Sequence, residues 1–191
     1  TEDYQDAGES VLLFYEGSER GNLVLLHDQY PNSQGGGALT MEFSGLPEDG
    51  AWVVRDDTYT EINGSDTNDD EWSVGETTSN VHWMWSDNRN DGGLYSGFGN
   101  MSDTVVIDPA FNEEAEFWGD WGYAGGEEDR LTNWRVVGSN GTDQELDRDR
   151  RLFVNGGGCL EQSLSANVTG PGVTETGTEV EFDASDTSLD G

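Results

Sequence analysis

Apolar residues along this chain come in short runs that alternate with polar ones. In "ALTMEF", Leu39, Met41 and Phe43 share one face by the two-residue period of a strand. "SNVHWMW" does the same with Val81, Trp83 and Trp85, which the alternation directs inward, and leaves His82 on the opposite face. "VLLFY", "NLVLLH", "AWVVR", "DTVVID", "LTNWRVV", "QEL" and "RLFV" read as further strands, and "CLEQSLSANV" alternates from Leu160 to Val168. "LPEDG" carries turn chemistry through Pro47, Asp49 and Gly50. The acidic stretch "NGSDTNDDE", residues 63–71, reads as loop.

One segment has helical spacing. In "DPAFNEEAEFWG", Asp108 suits a cap and Pro109 a first turn, and Phe111, Ala115 and Trp118 repeat on one helical face. The predicted fold class is therefore all-β: a β-sandwich, jelly-roll or immunoglobulin-like, with one short helix near 108–118. Residues 1–160 form the N-terminal sandwich, and 161–191 a linker and the first strands of a second, incomplete one.

Composition changes the picture of the solvent. Of 191 residues, 40 are acidic and 8 are basic, all of them Arg, for a net charge of −32. Hydrophobic residues are 32%, a level that suits disorder, but seven Trp and the regular alternation oppose that reading. Salt resolves the tension. The Debye length falls from roughly 10 Å at 0.1 M to about 3 Å at 1 M, so brine screens the self-repulsion of so many carboxylates. The absence of Lys removes exposed hydrocarbon stems from such a surface. In composition the chain resembles proteins of extremely halophilic archaea; an acidic or calcium-rich secreted protein is the alternative. No basic patch exists for nucleic acid. No run approaches the ~18 apolar residues of a membrane span. Cys159 is the only cysteine, which excludes an intrachain disulfide. The chain begins at Thr1, as a mature chain freed of its signal peptide or a fragment would.

The candidate chemistry is thin. His27 and His82 are the two histidines, and neither stands in a nucleophile-elbow or zinc-protease motif; core or surface placement is the expectation for both. Acid pairs such as Glu113 and Glu114, near Trp118 and Trp121, are inevitable among 40 acids and carry little weight for glycoside hydrolysis. Calcium is the cofactor the acidic loops would take. Asp66, Asn68 and Asp70 stand at the first, third and fifth positions of a calcium loop that lacks its Gly, and Asp87 and Asp91 form a second weak candidate. Trp118 and Trp121 are the candidate sugar-stacking pair, against core packing. Asn63, Asn100, Asn140 and Asn167 lie in N-x-S/T sequons and would carry glycans on an exported protein.

The last residues carry a resemblance. "ANVTGPGVTETGTEVEFDASDTSLDG", with Gly170-Pro171, Gly177, Val180, Phe182–Ser185 and Asp190-Gly191, resembles the start of a PKD-type repeat, an immunoglobulin-like sandwich common in surface proteins. Ser188-Leu189 replaces the usual Asp-Pro. The resemblance implies the front of a longer multidomain chain, whose strand near Glu179–Phe182 would pair with an available sheet edge. The stretches around "HWMWSDNRNDGGLYSGFG" and "VVIDPAFNEEAEFWGDWGY" are similar to an N-terminal β-rich module of secreted prokaryotic proteins. The expected function is a non-enzymatic, extracellular, structural or adhesive protein of a halophile's cell surface, such as a filament or surface-layer-associated subunit. Its partners would be other surface proteins, copies of itself, or glycans. The alternative is a carbohydrate-binding module or accessory domain of a secreted polysaccharide-acting enzyme, and the least supported reading is a secreted hydrolase.

Overall fold

The computed structural model describes residues 4–16, 20–29, 35–56, 58–60, 66–87, 89–98, 104–120, 124–138, 143–155, 158–161, 163–165 and 188–190. In chain order the early strands are β1 (Glu9–Glu16), β2 (Gly21–His27), β3 (Gly37–Ser44), β4 (Ala51–Arg55), β5 (Thr58–Thr60), β6 (Asp66–Asn68), β7 (Glu71–Val74) and β8 (Thr78–Trp85). The later ones are β9 (Asp91–Ser96), β10 (Val105–Phe111), β11 (Asn133–Val137), β12 (Asp143–Glu145), β13 (Leu152–Asn155), β14 (Gly158–Glu161), β15 (Ser163–Ser165) and β16 (Ser188–Asp190).

Two six-stranded sheets face each other. The first has the order β12-β11-β1-β2-β9-β4 and the second β14-β13-β10-β3-β8-β7. The chain changes sheet repeatedly: β2, β4, β9 and β11 lie in the first sheet, while β3, β8 and β10 lie in the second. Neighbours are antiparallel except β1 and β11, which run parallel. Separate two-stranded ladders join β5 to β6 and β15 to β16.

Strand alternation fills the space between the sheets. Leu12, Leu23 and Leu25 come from the first sheet, and Leu39, Met41, Phe43, Val81, Trp83 and Trp85 from the second, all essentially inaccessible. The expected inward faces of β3 and β8 are thus the observed ones. A core poor in Ile is closed by indoles packed edge to face, with ring centres 5.0 Å apart for Trp52–Trp72 and 5.5 Å for Trp72–Trp83. Gly93 makes room for them. A Cβ there would sit 2.9 Å from the Trp72 ring and 3.1 Å from the Trp52 ring. The "DGG" that reads as a turn therefore opens strand β9 instead.

Two expectations are corrected. Residues 108–118 are not helical: Asp108, Pro109 and Phe111 belong to β10, which is followed by a single 3-10 turn, Asn112–Glu114. Val105, Ile107 and Phe111 are buried in the same core, so the strand period outweighs the helical one. Pro109 lies beyond the last β10–β13 pair, Ile107 with Leu152, so its missing N–H costs that ladder nothing. Asn112 then turns the chain at φ +55°, and its side chain brackets the Leu131 backbone, donating to the carbonyl at 3.0 Å and accepting from the amide at 2.9 Å. Ala115 and half-buried Trp118 pack on Ala38 and Ala124 as a small second cluster. The stretch 63–71 is likewise not all loop, since Asp66–Asn68 pairs with Thr58–Thr60 and Glu71 begins β7. Polar strands of this kind are held by backbone ladders and leave no apolar alternation to read.

Candidate functional site

Both histidines are engaged in packing. His27 is wholly buried between Trp83 and Trp85, with ring centres 4.7 and 6.0 Å away. Its Nδ1 shares a 2.9 Å hydrogen bond with Ser10 Oγ. In register, Ser10 lies opposite His27 and His27 opposite Asp91, so a Ser-His-Asp row crosses β1, β2 and β9. The sequence offered no sign of this row, because its members are far apart in the chain and no motif joins them. It is no catalytic triad: Ser10 and His27 are 0% exposed and Asp91 1%, so substrate has no access. Burial pushes the His27 pKa down to about 3 and keeps the ring neutral. Beside it, Asp28 accepts from the Gly8 and Gln29 amides and from the Trp85 indole.

The outer face of the second sheet is different. One end of it is covered. There Phe117 packs on His82 at 5.5 Å, and Thr40 Oγ1 accepts from the Glu116 amide while bonding His82 Nδ1 at 3.0 Å. The other end is an open cleft of about 570 Å³. Across its floor runs one polar row, from four adjacent strand positions and Arg151, which directly precedes β13. Ser73 pairs with Asn80, Asn80 with Glu42, and Glu42 with Asp108. Arg151 closes the row, its Nε donating to Asp108 Oδ2 at 2.7 Å. Ser44, Val106 and Phe153 form the next row and line the same cleft. The Asn80 Oδ1 is sheltered and accepts no hydrogen bond among the described residues. Strand alternation produces this surface, because the inward neighbours of each of these residues fill the core.

The residues singled out in the sequence are scattered over the fold. Asp70 is buried and its Oδ1 accepts from the Met84 amide. Asp91 is buried and its Oδ1 accepts from the Gly92 amide. Asp87 is exposed, and Asp66 and Asn68 lie on β6. Among the described residues, no three His, Cys, Asp or Glu side chains come together to hold a metal ion. Trp118 carries the Arg130 guanidinium over its ring at 5.6 Å, and Arg130 also pairs with Glu113 and Glu127. The hydrogen bond from Arg130 holds the Glu113 carboxyl below its ordinary range. Trp121 and the sequon residues Asn63, Asn100, Asn140 and Asn167 lie outside the described residues, as does most of the PKD-like stretch. Cys159 lies on β14. No helix among the described residues is long and apolar enough to cross a membrane. Comparison with protein-family models, curated proteins and solved structures returns no match for this chain.

Proposed function

We propose that this chain is a non-catalytic, exported module of a halophile's cell surface that acts by adhesion, and that it binds through the open face of its second sheet. The observation that carries the reading is the contrast between its polar groups. His27, Ser10, Asp28 and Asp91 are spent inside the sandwich, whereas Asn80, Glu42, Asp108 and Arg151 are gathered in a solvent-open cleft. His82, the other histidine, is held by Thr40 and Phe117 at the covered end of that face. The charge of −32 favours work in brine, and the PKD-like ending and the sequons favour an exported, multidomain setting. Partners are other surface proteins, copies of itself, or glycans.

Electron microscopy and light scattering in molar NaCl test assembly, and adherence of the purified protein to halophile envelopes tests adhesion. Filaments or envelope binding support the reading; a monomer that binds no envelope material overturns it. A second reading, carbohydrate binding, is favoured by the cleft, whose row of amide, carboxylates and guanidinium borders Val106 and Phe153.

A further inference from the structure

The row Asn80–Glu42–Asp108–Arg151 is an unusual use of residues. Glu42 and Asp108 are directly opposite on neighbouring strands, an arrangement of like charges that weakens a sheet. In so acidic a chain an adjacent acid pair alone means little. The chain has few Arg, however, and one of them stands at the end of this row, bound to Asp108 and 64% exposed. Residues that break a local stability rule inside a cleft are the ones to examine for binding.

We infer that this cleft binds an uncharged glycan, laid across the strands along that row; the inference rests on the carbohydrate-binding reading. Neighbouring strands are about 4.8 Å apart, so four positions span roughly 14 Å, room for two or three pyranose rings. Sugar hydroxyls both donate and accept. The carboxylates of Glu42 and Asp108 accept from them, and the Arg151 guanidinium and the Asn80 side-chain NH₂ donate to them. Val106 and Phe153 supply an apolar border for the C–H face of a ring. Acidic sugars are disfavoured, because the row carries two carboxylates against one guanidinium on a protein of charge −32. Salt screens such charges but leaves short hydrogen bonds in place, so the site suits brine.

The test is isothermal titration in molar NaCl. The probes are neutral gluco-, manno- and galacto-oligosaccharides and their uronic-acid counterparts, run on wild type, Glu42→Gln, Ser44→Trp, Trp118→Ala and Glu114→Gln. Near-UV circular dichroism checks that each variant is folded. The expected result is binding of a neutral series only. Glu42→Gln then weakens it about tenfold through loss of a charge-assisted hydrogen bond. Ser44→Trp, which fills the cleft from an exposed position, abolishes it, and Glu114→Gln leaves it unchanged. Glycan binding that survives both cleft variants but falls in Trp118→Ala overturns the inference and keeps the carbohydrate reading. Preference for the uronic acids overturns the inference as well. Binding of no glycan by wild type overturns both.

Discussion

Ser10 Oγ lies 2.9 Å from His27 Nδ1, and neither residue has any accessible surface. The pair sits in the sandwich core with Trp83 and Trp85 against the imidazole. A neutral ring is the only form this packing accommodates cheaply, and that has a consequence for acid stability.

The folded-state pKa of His27 is about 3 against an ordinary value of 6.5. Above pH 6.5 the ring is neutral in both states and the contribution is complete. Below it the unfolded chain takes up a proton that the folded one refuses. Stability is therefore lost as pH falls from 6.5 toward 3, by up to ~1.4 kcal/mol per unit. Urea midpoints in molar NaCl between pH 7 and 5 should show this slope in wild type and lose it in His27→Gln. Ser10→Ala should cost about 1–3 kcal/mol at pH 7 by stranding the imidazole nitrogen. A pH slope equal in wild type and His27→Gln would show that His27 titrates in the folded state.

Asp129 ties the loop after Ala124 to the start of β3. Its Oδ1 accepts from the Gly36 amide at 2.9 Å, and its Oδ2 from the Gly125 and Gly126 amides at 2.9 and 2.7 Å. A carboxylate that accepts three amides is needed as an acceptor at both oxygens. Asp129→Asn should therefore destabilise nearly as much as Asp129→Ala, by about 3 kcal/mol. Faster hydrogen exchange at Gly36, Gly125 and Gly126 in Asp129→Asn is the accompanying signature, and protection equal to wild type would contradict the assignment.

Indole burial is uneven. Trp52, Trp83, Trp85 and Trp134 are buried, while Trp72 and Trp118 are half-buried. Acrylamide quenching in molar NaCl should divide the fluorescence into shielded and accessible parts. Trp118→Phe should lower the accessible part and Trp83→Phe should not. Trp83→Phe should instead reduce stability, since its indole also donates to the Gly92 carbonyl at 3.1 Å.

Charge makes its own prediction. With a net −32, the melting temperature should rise steeply as NaCl increases from 0.1 M toward molar values, and KCl should act equally well at equal ionic strength. A flat response would remove the argument that this surface is built for brine.

Much of the fold was legible in the alternation of single segments. Leu39, Met41 and Phe43, and Val81, Trp83 and Trp85, point inward as their two-residue period requires, since a strand can bury only one face on this core. Phe111, Ala115 and Trp118 show the limit. Their helical spacing is real, but Phe111 also continues the strand period of Val105 and Ile107, and the sheet edge offered by β3 decided between the two. Composition determined the net charge of −32, because charge sums along a chain whatever its fold. Tertiary structure alone decided the chemistry-bearing neighbours. Asp91 joins Ser10 and His27 from a strand far along the chain, and Asn80, Glu42, Asp108 and Arg151 come from segments far apart in sequence; both sets meet only through register. Register is set by which sheet faces which, and that is a property of the packed core, not of any one strand.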